Sequence, residues 1–270
     1  MNQYETDRKG ESTVAQRKSR RRRRRSRGSL GPLLRFASVV LTAVVIVIAL
    51  TLFFKVDQIT ISGNSRYTQE EIVSLSGIKP GDNLILLDKY QIARKLYTQL
   101  PYITDVRIKR QLPDGLLIEV AETVPALAIE SAGGWWLVSG GGKVLEIAEM
   151  AVAQEFLVLR GMVAEAPVIG QQLALSAEGN LSTERLLELV AAFSGRGMLE
   201  RADYVDATDA AKLVIGYDAR FDVELWYDAD FDFKLDCLRS VVNELEPNET
   251  GVIRMTMEDE NEVRLIPYGS

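Results

Sequence analysis

From Phe36 to Phe54, 19 consecutive residues carry no charge and are dominated by Val, Ile, Leu and Ala. At a rise of 1.5 Å per residue this stretch makes a helix of about 28 Å, the thickness of a bilayer's hydrocarbon core. A secretory signal peptide is the competing reading. Its apolar core is shorter, about 7 to 15 residues, and Leu50-Thr51-Leu52-Phe53-Phe54 supplies no small-x-small cleavage site. The run is therefore read as an uncleaved transmembrane anchor.

The charges on either side are lopsided. Nine of the eleven residues from Arg17 to Arg27 are basic, whereas the far flank offers only Lys55 nearby. The basic side of a span stays in the cytoplasm, so Arg20, Arg21, Arg22, Arg23, Arg24, Arg25, Arg27 and Arg35 are the residues expected to set topology, sending Val56 to Ser270 across the membrane. The same run can attract anionic lipid headgroups. Nucleic-acid binding is the weaker reading of these arginines, because no stacking aromatic lies near them. Residues 1 to 35 hold 12 Lys/Arg against 3 Asp/Glu although the whole chain is net −6, so the exported part is strongly acidic. The first 30 residues lack apolar periodicity and read as disordered.

The chain has no histidine and one cysteine, Cys237. That excludes Ser-His-Asp and Cys-His nucleophile systems, His-ligated zinc and haem, and any internal disulfide. No cofactor or metal set is legible.

Val56 to Val124 reads strand, helix, helix, strand, strand. Ile59 and Ile61 alternate with polar neighbours up to Gly63-Asn64. Thr68-Gln69-Glu70-Glu71 is a capping box opening a short helix that Gly77 ends. After Pro80-Gly81-Asp82, Asp88 caps a second helix with Ile92, Leu96 and Leu100 on one face. Val106 and Ile108 then alternate with Arg107 and Lys109, and Pro113-Asp114-Gly115 turns into Leu116, Ile118 and Val120.

This order resembles the polypeptide-transport-associated (POTRA) domain of the FtsQ/DivIB family of bacterial division proteins. The resemblance rests on Phe54-Lys55-Val56-Asp57-Gln58-Ile59-Thr60-Ile61-Ser62-Gly63-Asn64, on Ile78-Lys79-Pro80-Gly81-Asp82-Asn83-Leu84, on Leu100-Pro101-Tyr102-Ile103 and on Val120-Ala121-Glu122-Thr123-Val124-Pro125. Thr123 stands where the family often has Arg. Beyond Pro125 the likeness is looser: Trp135-Trp136-Leu137-Val138 with Gly142-Lys143-Val144-Leu145 reads as the paired strands opening the family's β domain, and Leu159-Arg160-Gly161 and Gly170-Gln171-Gln172-Leu173 as a strand and the loop leading to a helix. Leu186, Leu187, Val190 and Phe193 form one helical face stopped by Gly195; a last helix points Leu235, Leu238, Val241, Val242 and Leu245 inward, with Pro247 after it. Two strands close the chain, about Gly251 to Met257 and Glu262 to Ile266, joined by Glu258-Asp259-Glu260-Asn261; Arg254 stands where the family commonly has Asp. The fold class is thus α+β: a single transmembrane helix, a β-α-α-β-β POTRA domain and a mixed β-rich domain ending in an edge strand. The expected division is 1–35 cytoplasmic tail, 36–54 anchor, 55–124 POTRA domain and 125–270 β domain.

Enzymatic motifs fail on context. Ser76-Gly77-Ile78-Lys79 has the S-x-x-K spacing of penicillin-recognising enzymes, but at a helix end instead of a helix start. Asp228-Ala229-Asp230-Phe231-Asp232 begins like a calcium loop, yet Phe233 occupies the glycine position and Arg239 the final acid. Gly140-Gly141-Gly142-Lys143 lacks the Ser/Thr of a phosphate cradle. Trp135, Trp136, Trp226, Tyr227 and Cys237 read as core. A membrane-anchored hydrolase using paired carboxylates remains as the alternative, which paired acids in a cleft with raised pKa values would support. What the resemblance implies is a non-enzymatic scaffold of septum formation, in the cell membrane at the division septum. It would bind small single-span partners of the FtsB/DivIC and FtsL types by adding a strand to an edge built from Glu262, Val263, Arg264, Leu265 and Ile266, supported by Arg254, Met255, Thr256 and Met257.

Overall fold

The computed structural model describes residues 30–131, 133–177, 179–256 and 263–268. The arginine run from Arg20 to Arg27, Met257, the acidic turn and Glu262 lie outside the described residues. The chain divides into two compact units, Met1–Leu50 and Thr51–Ser270.

The described part of the first unit is most of one helix, α1 (Leu30–Phe53), whose stretch Gly31–Thr51 has a mean hydropathy of 2.6 and is long and apolar enough to cross a membrane. It begins earlier than the uncharged run. Pro32 is compatible with a first helical turn, whose amides have no intrahelical acceptor anyway, and helical geometry continues through Arg35. The hydroxyls of Ser38 and Thr42 donate to the helix's own carbonyls, Arg35 O at 2.8 Å and Ser38 O at 2.9 Å, which leaves no polar side-chain hydrogen facing an apolar medium at those two positions.

The second unit starts with the expected strand-helix-helix-strand-strand order: β1 (Gln58–Ser62), α2 (Gln69–Ser76), α3 (Lys89–Gln99), β2 (Ile103–Gln111) and β3 (Gly115–Glu122). Thr68 accepts from the Glu71 amide and Asp88 from those of Tyr90 and Gln91, so both helices start at the residues whose side chains replace the missing acceptors. Gly77 closes α2 in the left-handed conformation. The sheet order is β1-β3-β2, with β1 parallel and β2 antiparallel to the central β3. Ile72, Ile92 and Leu96 from the helices pack on Ile61, Leu116, Ile118 and Val120. Gly63 is required where β1 ends: with φ +84, a Cβ there would lie 2.1 Å from the Val120 carbonyl oxygen. Glu122 then accepts the amides of Ser65, Arg66 and Tyr67 at 2.9, 2.8 and 3.3 Å, fixing the turn that leads into α2.

Only residues 123–124 separate β3 from the next strand, β4 (Pro125–Ser131), which the sequence reading passed over; the paired strands β5 (Gly134–Ser139) and β6 (Val144–Ala148) follow it instead of opening the region. There follow α4 (Met150–Ala153), β7 (Leu157–Arg160), α5 (Thr183–Gly195), β8 (Ala202–Asp206), β9 (Lys212–Tyr217), β10 (Phe221–Trp226), α6 (Phe231–Glu244), β11 (Gly251–Arg254) and β12 (Arg264–Pro267). Among the described residues these strands form one mixed sheet in the order β12-β11-β10-β9-β8-β7-β4-β5-β6. α5 and α6 cover one face, burying Leu186, Val190, Phe193, Leu235 and Leu238 against Leu127, Ile129, Ile215, Val223 and Leu225. On the α5 face Leu189 is buried and Leu187 only half-buried, and Gly195 lies inside the helix; the reversal falls at Gly197 (φ +63). Both closing strands are shorter than expected, since Met255, Thr256 and Val263 fall outside regular strand.

The two sheets are joined by a buried lysine. Lys143, on the β5–β6 connection, sends Nζ to the carbonyls at the C-terminal end of α3 and the start of β2, donating to Tyr97 O at 2.6 Å, Ile103 O at 2.7 Å and Leu100 O at 3.4 Å, over the Tyr97 ring at 3.7 Å. A cation suits a helix C-terminus. Burial pushes its pKa down to about 8. Beside it, Arg66 pairs with Glu146 at 3.2 Å and lies 3.7 Å above the Tyr102 ring.

Candidate partner-binding edge

β12 is the outermost strand of the nine-stranded sheet, paired antiparallel to β11 with Val252 opposite Ile266, Ile253 opposite Leu265, and Arg254 opposite Arg264. The direction of each amide follows from the register. Tyr268 N donates to Thr250 O at 3.3 Å, so 250/268 is a hydrogen-bonded pair, and by alternation so are 252/266 and 254/264. The amides of Ile266 and Arg264 therefore point inward to β11, while that of Leu265 points away from the sheet. Pro267, which has no N–H, occupies the same outward parity, where its missing donor costs the ladder nothing.

Side chains alternate in the other direction. Leu265 and Val263 pack on the helix-covered core, while Ile266 lies with Val252 on the opposite, open face. That face of β8 to β11 is a polar network. Glu224 on β10, nearly buried, accepts from the Lys212 ammonium and, at 2.8 Å, from Arg254 Nε. Burial works against its charge, but Lys212 and Arg254 hold the carboxyl below its usual range. Arg254 would otherwise meet Arg264 directly across the ladder, a like-charge pairing that Glu224 offsets. Asp222 accepts from the hydroxyls of Tyr204 and, at 2.6 Å, Tyr268. Burial and then Asp222 push the Tyr268 hydroxyl up to about 12. Trp226 belongs to this face and is 42% exposed, against the expectation of a core residue; Trp136 is buried.

Of the residues expected to form the edge, the structure brings together Arg254, Arg264, Leu265 and Ile266. Met255 is buried beyond the strand end and its amide still donates to Glu224 O at 3.0 Å; Thr256 is half-buried. The sequence reading did not find Tyr204, Asp222, Glu224 or Tyr268. Their only signal was polar and apolar alternation in Phe221 to Trp226.

The enzyme-like motifs are accounted for locally. The Ser76 hydroxyl donates to Val73 O and accepts from Ile78 N, ending α2; Asp230 caps α6 by accepting from Phe233 N; and Lys143 faces carbonyls, which are not phosphate-binding groups. Among the described residues no cluster of His, Cys, Asp and Glu is arranged to hold a metal ion. The described carboxylates displaced from their usual range all move down: Glu184 by its own amide, Asp218 by Arg201, Asp236 by Arg196, and Glu224 by its cation pair against burial. The raised acid that paired-carboxylate hydrolysis needs is not among them.

Residues 54–123 match the family described as POTRA domain, FtsQ-type. The chain is 31% identical over 144 residues to a cell division protein FtsQ of Syntrophotalea carbinolica, an alignment covering 53% of this chain and 49% of that protein. It is 30% identical over 182 residues to a cell division protein FtsQ of Anaeromyxobacter sp. strain K, covering 67% and 56%, and 30% identical over 94 residues to a cell division protein DivIB of Clostridium tetani, covering 35% of each. In the first two of these alignments the chain spans about half the length of the relative.

Proposed function

Since the chain is a member of the FtsQ/DivIB family with an FtsQ-type POTRA domain at residues 54–123, we propose that it is a single-pass membrane protein of bacterial cell division that acts as a non-enzymatic scaffold, docking small single-span partners of the FtsB/DivIC and FtsL types on the outer edge of β12. In this reading residues 1–35 are a cytoplasmic tail held inside by Arg20 to Arg25, Arg27 and Arg35, residues 36–54 the anchor, 55–124 the POTRA domain and 125–270 the partner-binding β domain, exported to the septum. The observation that carries the reading is the terminal place of β12 in the sheet, with the Leu265 amide directed outward.

An added strand draws its affinity from main-chain hydrogen bonds, so losing an outward amide matters more than trimming an outward side chain. Leu265→Pro removes that donor at a position of the same parity as the native Pro267, so the domain keeps its ladder to β11. Binding of the full chain to the FtsB/DivIC-like and FtsL-like proteins is expected to weaken tenfold or more, one ladder bond of about 0.5 to 1.5 kcal/mol plus exclusion by the ring, with circular dichroism and Tm near parental values. Parental affinity in a folded Leu265→Pro protein refutes the edge mechanism.

A further inference from the structure

Exposed apolar side chains collect at one end of the three-stranded domain, the end that holds Phe54 and Lys55. Three chain segments contribute. The loop before α3 presents Ile85 (42% exposed) and Leu86 (75%); α3 adds Tyr90 (76%); and the β2–β3 turn adds Leu112 (64%). None of these belongs to the domain's core, and none is used by the partner edge on β12.

Their position is tied to the anchor by hydrogen bonds within a few residues of its last turn. Leu84 N donates to Phe54 O at 2.8 Å, Asn83 Nδ2 to Thr51 O at 3.3 Å, and Lys55 bridges Asn83 in antiparallel fashion. The β2–β3 turn is held at the same end, because Asp57 N donates to Asp114 O at 2.9 Å. Arg110 Nη2 in turn donates to Leu87 O at 2.8 Å, joining the hairpin to the loop. Phe54 follows the last residue of α1 directly, so both segments are fastened to residues adjoining the end of the apolar helix.

The loop's backbone is also prepared for an apolar medium. Asn83 Oδ1 accepts the amides of Ile85 and Leu86 at 2.9 and 3.1 Å, and Asn83 O accepts those of Leu86 and Leu87, each at 3.1 Å. These bonds leave the amides of Ile85, Leu86 and Leu87 satisfied, as an apolar medium requires, since in lipid every unsatisfied amide costs several kcal/mol.

We propose that Ile85, Leu86, Tyr90 and Leu112 form a lipid-binding patch that inserts into the bilayer interface and docks the POTRA domain against the membrane surface. The ligand is the acyl–headgroup boundary of the leaflet from which the span emerges, entered to about the 5 to 10 Å typical of interfacial apolar faces. The inference rests on α1 being the membrane anchor. It is independent of which partner binds β12.

The test uses the full chain in phospholipid nanodiscs, one molecule per disc, in a Cys237→Ala background. Nitroxides are attached singly at Leu86→Cys, Leu112→Cys, Val45→Cys within the anchor, and Gln69→Cys at the opposite end of the sheet. Accessibility to oxygen, which partitions into lipid, is compared with accessibility to a nickel chelate, which stays in water. Leu86 and Leu112 are expected to favour oxygen as Val45 does, and Gln69 to favour nickel. If Val45 reads as lipid while Leu86 and Leu112 read like Gln69, the lipid-binding patch is refuted with the anchor intact. If Leu86 and Leu112 are closed to both reagents, the apolar end is covered by protein and the lipid assignment is refuted. If Val45 itself reads as water, the anchor reading fails and the lipid-binding patch with it.

Discussion

The two ends of the nine-stranded sheet meet opposite fates. At one end the chain covers the start of β6 itself: Val144 N donates to Gln171 O and Gly170 N to Val144 O, both at 2.8 Å, Leu173 N donates to Gly142 O at 2.7 Å, and Lys143 bridges Gln172. The neighbouring sheet then locks onto this end through Lys143 and the Arg66–Glu146 pair. At β12 no further strand lies outside Arg264–Pro267 among the described residues. A chain that can cap the start of one outer strand with Gly170 to Leu173 of its own loop could cap the other. The bare edge is kept short and carries Arg264 and Pro267, features that discourage unspecific strand addition while leaving the Leu265 amide available.

The sharpest way to break this contrast is proline at both ends. Leu173→Pro on the covered end removes a 2.7 Å bond and reshapes a buried side chain, and is expected to cost about 3 kcal/mol in urea unfolding of the full chain while leaving partner affinity unchanged. A folded Leu173→Pro protein with partner binding lost would place the interface at β6 instead.

Lys143→Met comes next. It leaves the carbonyls of Tyr97 and Ile103 without their short bonds to Nζ, and is expected to cost about 2 kcal/mol of stability, a loss partly offset because a charge no longer has to be buried. Its pH signature is more specific. With the folded pKa near 8 and the ordinary value at 10.5, the unfolded chain holds the proton more firmly across that window, so parental stability rises as pH goes from about 8 to 10.5. Unfolding titrations of Lys143→Met should lack that rise; an identical slope in both proteins would remove Lys143 as its cause.

Ile266→Pro differs from Leu265→Pro in the direction of one amide. Here the lost N–H faces Val252, so the β11–β12 ladder itself is damaged. Stability is expected to fall by about 1 to 2 kcal/mol together with partner affinity, where Leu265→Pro lowers affinity alone. A lower thermal midpoint for Leu265→Pro than for Ile266→Pro would show that the assignment of inward and outward amides is reversed.

Legibility in the sequence followed the range of the interactions. The first sheet could be read almost completely, since Thr68, Gly77 and Asp88 act on amides or backbone angles within three residues of themselves, and Ile92, Leu96 and Leu100 repeat at helical spacing. The role of Glu122 could not, because it caps amides 55 to 57 positions earlier in the chain. In the second sheet β4 escaped notice: Pro125-Ala126-Leu127-Ala128-Ile129 is buried on both faces, so it shows no alternation, and its alanines carry little strand preference. The edge was legible as a terminal strand, but its polar face was not. Glu224, Arg254 and Lys212 read as ordinary solvent-facing charges until the register sets them side by side.

The smallest expected effect lies at the covered end, in the pair Arg66–Glu146. Its side chains are 52% and 40% exposed, so the 3.2 Å contact is largely screened by solvent, and a double-mutant cycle of Arg66→Ala and Glu146→Ala should give a coupling of only about 0.2 to 1 kcal/mol, shrinking as salt is raised. The single variants should nevertheless differ. Arg66 also stacks 3.7 Å above Tyr102, so Arg66→Ala loses that contact as well, about 0.5 to 1 kcal/mol that salt screens less, whereas Glu146→Ala leaves it in place. If the covered end serves only to fasten the two sheets, neither change alters partner affinity. A coupling well above 1 kcal/mol, or a loss of binding in either variant, would mean that this end of the sheet does more than hold the domains together.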